Sequence, residues 1–359
     1  MRKILLGAAF AALVLSGSSG MAAQNNGNLR IYWIDVEGGA STLFVAPTGE
    51  SLLFDTGNPG NGDRDAKRIF ATAKKAGLTK IDQVVISHWH GDHVGGLEAL
   101  SKMIPLGKFY DHGDGVEPAD KARHDSYVSI AGANRKILKA GDTIALGPVQ
   151  FRVVVSEGPV ISTPINGGGA NPLCTNTAQM SPAGAENIRM VSLAANYGSF
   201  KYASLADLDW SRELELVCPT NKLGHINLYT INRHGGLDDS GSPALLGAVK
   251  PQVVVFNNGP RKGLGQKDER SQPINAATAT PYEKNSYLRI VKTPGNEGVW
   301  QLHRSMIDPD PAHNTMPDMT ANMEQEGDQG FGLSAVVSAD GKFTISNDRN
   351  GYSKNYVSQ

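Results

Sequence analysis

The chain has 359 residues, 34 basic and 35 acidic side chains, a formal net charge of -1 and 40% hydrophobic content. So even a balance excludes broad electrostatic capture of nucleic acid or an anionic membrane, although it leaves a local patch open. The 41 Gly and 19 Pro describe a loop-rich globular protein of one domain or slightly more, with enough apolar material for a large core.

The first segment, "MRKILLGAAFAALVLSGSSGMAAQ", has a basic start at Arg2 and Lys3, an apolar centre over residues 4–15 and small residues near Ala22 and Ala23. This is the pattern of a secretory signal peptide over residues 1–23, with a mature start near Gln24 and a secreted or periplasmic destination. The apolar run falls short of the ~20 residues a membrane-spanning helix needs, so no membrane anchor is expected. Export permits a disulfide between the only two cysteines, Cys174 and Cys218. Two separate buried thiols are the alternative.

Residues 29–57 read as three short strands in an antiparallel meander, turning at Glu37-Gly38-Gly39 and Pro47-Thr48-Gly49. A helical pattern at 65–76 stops at Gly77, the buried strand "IDQVVIS" follows, and "HVGGLEALSKM" opens a further helix. Residues 135–156 hold two or three strands, residues 164–172 a Gly/Asn/Pro-rich loop, and residues 188–210 a strand pair with its hairpin at Tyr197-Gly198-Ser199. "INLYTINRHGG" and "PQVVVFNNGP" are two more strand-and-loop units. Towards the end, "TPYEKNSYLRIVK" suggests a helix, "GVWQLHRS" a strand, residues 308–329 an irregular loop, and "GLSAVVSADGKFTISN" a hairpin at Ala339-Asp340-Gly341. The order implies two sheets packed face to face with helices outside.

The stretch "ISHWHGDHVGG" places His88, His90, Asp92 and His93 directly after an apolar strand. Histidines two residues apart at a strand end can project into one cavity, and the next two donors come from the following turn. That geometry suits two divalent ions a few ångströms apart, each needing three or four donors and an open position for water.

"HWHGDH" matches the HxHxDH signature, and the chain on this ground resembles the metallo-β-lactamase superfamily from about residue 29 to residue 260. The resemblance implies an α+β fold, the four-layer αββα sandwich, here with a C-terminal β-hairpin extension. The domain reading is a hydrolase domain over 29–260 and, over 261–359, the completion of the sandwich plus that extension. It implies metal ligands at His88, His90, Asp92 and His93, with Asp207 of "SLADLDW" as the bridging acid and His234 of "INRHGG" as the last histidine. Asp55 of "LFDTG" matches a residue that braces the metal loop. Within the superfamily, "IDVEGGAS" and "NIRMVSLAANYGSFKYASLADLD" resemble the hydrolase domain of bacterial DNA-uptake competence proteins. Ala40 replaces an acidic residue common in that branch, and Arg233 stands where a second His often precedes the ligand His. At the family's third motif the matching residue is Asn187, and no His lies between His124 and His225. An amide oxygen is a weaker ligand than imidazole, so the first site is expected to bind loosely or stay empty. Asp207 in place of Cys argues against the best-known β-lactamases.

Other candidates are plainer. His112 and Asp114 of "DHGDG" read as a polar turn, with substrate contact as the alternative; "FNNGPRKG" could offer Asn or Arg to an anionic group; His303 reads as a strand residue facing solvent. Asp35 and Glu37 read as loop-bracing residues, and "ELELVCP" as a solvated edge without chemistry.

The expected function is an exported metal-dependent hydrolase. Zn²⁺ as one or two ions, with Mn²⁺ as the alternative, provides a metal-bound hydroxide oriented by Asp92, the expected catalytic residue. The substrate is a small molecule or a phosphodiester, with an ester or lactone bond also open; nucleic acid is not supported by the net charge. The alternatives are a metal-binding envelope protein without turnover, and oxygen-dependent thiol chemistry on iron in the same fold.

Overall fold

Strand β1 (Leu29–Trp33) leads into β2 (Thr42–Val45) and β3 (Ser51–Phe54), an antiparallel meander with Ile31 opposite Phe44 and Leu43 opposite Leu53. Both faces of β2 and β3 are covered. Phe44, Leu52 and Phe54 join the core shared with the second sheet, while Leu43, Val45 and Leu53 join the core under the helices. This is why the segment reads as a nearly continuous apolar run. The computed structural model describes residues 27–237, 240–323 and 329–359, so the leader expected at 1–23 lies outside the described residues.

Helix α1 (Arg64–Lys75) buries Ala66, Ile69 and Ala73, one apolar stripe at helical spacing, and ends before Gly77, whose φ of 83° favours glycine. After it come β4 (Ile81–Val85), the short helices α2 (Gly91–Val94) and α3 (Leu97–Ser101), β5 (Leu106–Asp111), α4 (Lys121–Ala131) and β6 (Arg135–Ile137). The second sheet starts with β7 (Thr143–Leu146), β8 (Val149–Val155), β9 (Ser192–Tyr197) and β10 (Phe200–Ser204). It continues through α5 (Trp210–Val217), β11 (Leu228–Thr230), α6 (Pro243–Val249), β12 (Val253–Phe256), α7 (Ser286–Val291), β13 (Gly298–His303) and β14 (Thr320–Asn322). Finally β15 (Leu333–Val337), β16 (Lys342–Asn347) and β17 (Ser353–Val357) return to the first sheet.

Among the described residues the sheets run β17-β16-β15-β1-β2-β3-β4-β5-β6 and β14-β13-β12-β11-β10-β9-β8-β7. The expected C-terminal hairpin forms, and β15 pairs antiparallel with β1, Ile31 opposite Ala335, so it continues the first sheet. The sheets meet through Phe44, whose ring lies 5.0 Å from Phe151 and 5.3 Å from Tyr202, both edge-on. Burying each such side chain contributes about 1.5–3 kcal/mol. Trp33 Nε1 also donates to Thr230 Oγ1 at 2.8 Å, joining β1 to β11 across the interface.

Two expectations of irregularity need correction. The stretch 308–329 contains β14, which pairs parallel with β13, Gln301 opposite Thr320. Three residues carry no readable period; the strand exists because an edge of β13 was open to it. "ELELVCP" is not a solvated edge throughout, because Glu213 on α5 is fully buried against the start of α6. Among the described residues no helix is long and apolar enough to cross a membrane.

Candidate metal centre

The site forms where the C-terminal ends of β3 and β4, from one sheet, meet those of β10 and β11, from the other. Asp55 follows β3, the histidine loop follows β4, Asp207 follows β10 and His234 follows β11. Four non-glycine residues at these strand ends take the left-handed backbone: Asp55 (φ 64°), Ala206 (53°), Arg233 (47°) and His234 (55°). Each such residue costs about 1–3 kcal/mol, so the surrounding packing holds them there against local preference.

Parallel pairing of β3 with β4 brings Asp55 beside Ser87. Ser87 N donates to Asp55 Oδ1 at 2.7 Å, and Ser87 Oγ to Asp55 Oδ2 at 2.8 Å. His93 Nδ1 lies 2.8 Å from Asp55 Oδ2, so the carboxylate accepts from Nδ1–H and turns Nε2 towards the cavity.

Asp92, His93, Asp207 and His234 each present a donor atom, and these four atoms lie within 4.8 Å of one another. His93 Nε2 is 3.4 Å from Asp92 Oδ2 and 3.3 Å from Asp207 Oδ1; His234 Nε2 is 3.4 and 3.2 Å from the same oxygens. Both nitrogens are buried, and neither makes a directed hydrogen bond. Rings and carboxylates are aimed at a common point rather than at each other. Buried polar atoms are rarely left so, and two imidazoles with two carboxylates are a donor set for a divalent transition-metal ion.

The electrostatics agree. Burial pushes the Asp207 carboxyl up, but His234 and His93 outweigh it and hold it well below the usual carboxylate range. Burial likewise opposes ionisation of Asp92, and His93 with Lys262 overcomes it. The His93 imidazole resists charge through burial, yet Asp207, Asp92 and Asp55 hold its pKa well above the ordinary value. The cluster thus attracts positive charge.

His88 and His90 sit beside it. His88 Nε2 lies 3.0 Å from His90 Nδ1, and the His88 ring is 4.1 Å from that of His93. Burial, then the neighbouring His93 and His90, push the His88 imidazole well below its ordinary pKa. The Nε2 of His90 faces away from His88, 3.4 Å from Glu117 Oε2 and 3.9 Å from Asp120 Oδ2. Asn187 lines the same cavity of about 340 Å³ as His90, Asp92, Asp207 and His234, and its buried Oδ1 has no hydrogen-bond partner.

Other side chains lie elsewhere than expected. His303 does not face solvent: it is 3% exposed, and its Nε2 lies 2.7 Å from Asp35 Oδ1. β13 is flanked by β12 and β14, which leaves its end no open side. Asp35 also pairs with Arg68 at 3.0 Å, consistent with a brace. His112 is no ordinary turn residue; it is fully buried, 2.8 Å from Glu186 Oε1, and Glu186 also accepts from Trp89 N and Val116 N at 3.1 Å each. Glu186 therefore clamps the histidine loop through Trp89, and "GAENIRM" carries no signal of that. Lys262, whose Nζ bonds Asp92 Oδ2, lies in "FNNGPRKG", where the sequence points to Asn or Arg rather than to Lys. Asp268 and Arg270 on the cavity wall had no signal at all.

Residues 35–172 match the family model described as the metallo-beta-lactamase superfamily. The matched stretch holds Asp55, His88, His90, Asp92 and His93, and the fold supplies Asp207 and His234 from beyond it. The family model supports the metallo-β-lactamase superfamily. The two mixed sheets with helices outside are the metallo-β-lactamase sandwich, a fold that implies divalent metal binding. A "Beta-lactamase-like protein 2 homolog" of Caenorhabditis elegans is 31% identical over 109 residues, 28% of this chain and 36% of that protein. An "Atrochrysone carboxyl ACP thioesterase" of Passalora fulva is 38% identical over 68 residues, 19% of each chain. These matches thus span about a third or less of the relatives' own lengths. Among solved structures, the metallo-beta-lactamase fold protein YhfI from Bacillus subtilis is similar at 11% identity and a TM-score of 0.44, over 76% of this chain and 95% of that one.

Proposed function

We propose that the protein is an exported metal-dependent hydrolase that cleaves an ester, thioester, lactone or phosphodiester bond in a small molecule. The observation that carries the reading is the pair of buried, undirected Nε2 atoms of His93 and His234, converging with the Asp92 and Asp207 carboxylates. These four residues would hold one ion, with zinc the ion best suited to the set. His88 and His90 would hold a second, helped only by the neutral Asn187 Oδ1. A divalent ion supplies Lewis acidity and an activated water when bound. Asp55 fixes the His93 tautomer, and Asp92 is placed to accept a proton from the attacking water. Lys262 neutralises Asp92 from the cavity side.

Export rests on the leader pattern of residues 1–23 and on the Cys174–Cys218 disulfide, which suits an oxidising compartment. The thioesterase name of the fungal relative supports an acyl substrate. The resemblance of the opening and strand-pair motifs to competence-protein hydrolases supports a phosphodiester. Metal analysis of protein purified without added metal, joined to a panel of ester, thioester, lactone and phosphodiester substrates with Zn²⁺ or Mn²⁺, tests the reading. Turnover that disappears with chelation is the expected result. A metal-binding envelope protein without turnover is the second reading, favoured by Asn187 where many relatives place a ligand histidine; tight metal binding with no turnover on any substrate would select it.

A further inference from the structure

Beside the metal donors, the cavity wall is cationic. Arg233, Lys262 and Arg270 all line it, and Asp268 is the only acid on that wall among the described residues. Asp268 acts as a clamp for the two arginines. Its Oδ2 accepts from Arg233 Nη2 and, at 2.7 Å, from Arg270 Nη2, while its Oδ1 accepts from Arg270 N at 2.9 Å and Arg270 Nε at 3.0 Å. The Asp268 carboxyl, resisting ionisation through burial, is pulled down by these arginines and remains the anion that orients them. Arg270 keeps 56% of its side chain exposed to the cavity mouth, while Arg233 is 7% exposed and sits deep beside His234.

The backbone repeats the theme. Arg233 and His234 are consecutive residues in the left-handed region, so one strained turn presents a metal-donor histidine and a guanidinium to the same cavity. Gly263, next to Lys262, packs so closely on this turn that a Cβ there would stand 2.2 Å from His234 O. The Lys262 loop and the His234 turn are therefore locked together, and Lys262 reaches Asp92 from that position.

We propose that this wall is an oxyanion subsite: Arg233, Lys262 and Arg270 receive a phosphoryl or carboxylate group carried by the substrate next to its scissile bond. The inference rests on the hydrolase reading above and narrows its substrate class. Once a divalent ion neutralises Asp92 and Asp207, Lys262 and Arg270 outnumber Asp268, the one other acid lining the cavity among the described residues, and the cavity favours an anion. A planar guanidinium offers paired N–H donors matched to two oxygens of one oxyanion, and the Asp268 clamp has already restricted its rotation. A cavity of about 340 Å³ limits the ligand to a small molecule or the end of a larger one. A purely structural role for the arginine–aspartate–arginine bridge would tie the 263–270 loop to the His234 turn without binding anions.

The test is calorimetric titration of the metal-loaded full chain with inorganic phosphate and, separately, with acetate at constant ionic strength. The wild type, Arg270→Gln and Lys262→Gln are compared, with bound metal measured in each. Losing one charged hydrogen-bond donor should weaken oxyanion binding on the order of tenfold, with metal content unchanged in Arg270→Gln and affinities compared per bound metal in Lys262→Gln, whose side chain contacts Asp92. Phosphate binding tighter than acetate assigns a phosphoryl group, and the reverse assigns a carboxylate. Absence of binding by both ions, or affinities that both variants leave unchanged, would overturn the inference. Oxyanion binding that responds to the variants in a protein with no turnover on any substrate would retire the hydrolase reading and keep the subsite.

Discussion

The His93 ring is held between two carboxylates: its Nδ1 lies 2.8 Å from Asp55 Oδ2 and its Nε2 3.3 Å from Asp207 Oδ1. The first contact orients the ring, and the second marks where a cation belongs. Asp55→Asn keeps the shape but leaves one acceptor oxygen for the His93 Nδ1–H and Ser87 N–H donors, so one of them loses its partner. Metal affinity should fall about 10–100-fold, the usual consequence of disturbing such a support. Competition with a chromogenic chelator measures it, and an unchanged affinity would remove Asp55 from the metal site.

Asp92 has a different part. It faces the cluster and bonds Lys262 through Oδ2, and the residue lines the cavity. Asp92→Asn should retain much of the metal and lose about 10²–10⁴-fold in turnover, whereas His93→Ala should act by emptying the site. Near wild-type kcat in Asp92→Asn at saturating metal would sink the role.

Asn187 predicts a gain. Its Oδ1 is buried and unpartnered on the cavity wall that also carries His90. Asn187→His should raise the metal stoichiometry measured by elemental analysis at limiting free zinc. The same stoichiometry and affinity as wild type would show that the amide does not limit the His88 and His90 side.

Glu213 offers a stability test away from the metal. Burial pushes its carboxyl from 4.5 up to about 7, opposed by N–H donors from Ser242 and Gly241 and by Arg289. A carboxyl with a raised folded-state pKa contributes its full stability below about pH 4.5 and loses it as pH rises through about 7. The loss is on the order of 3 kcal/mol. Glu213→Gln should remove that dependence, so the variant's stability relative to wild type should rise from pH 5 to pH 8 in urea melts with metal held constant. A gap that stays constant would show that the carboxylate is ionised throughout.

Cys174 and Cys218 form a disulfide across a sequence separation of 44, with Cα atoms 5.6 Å apart. It joins the turn at the end of the Gly/Asn/Pro loop to the residue after α5. Closing a loop of that length contributes about 4 kcal/mol in the chain-entropy account. Cys174→Ser should lower the urea midpoint accordingly, and two reactive thiols in unreduced, denatured wild-type protein would deny the bond.

Much of this was legible locally. The runs that became β2, β3 and β4, the stripe that became α1, and the Gly198 hairpin each depend on neighbours a few residues apart, as does the crowding of His88, His90, Asp92 and His93 into one loop. Asp207 and His234 were legible only through resemblance, because "SLADLDW" and "INRHGG" have no chemistry of their own until β10 and β11 carry them to the end of β4. Sequence alone also determined that two cysteines were available, but not that they would meet. The tertiary structure alone decided what lies across the cavity or behind it: Glu186 clamping Trp89, Asp268 fixing Arg233 and Arg270, Lys262 on Asp92, His303 on Asp35 at a separation of 268 residues, and Glu213 buried under α6. Local sequence encodes period and turn chemistry, whereas these partners are chosen by the order of strands in two sheets, and a side chain's burial and charge environment exist only once that order is formed.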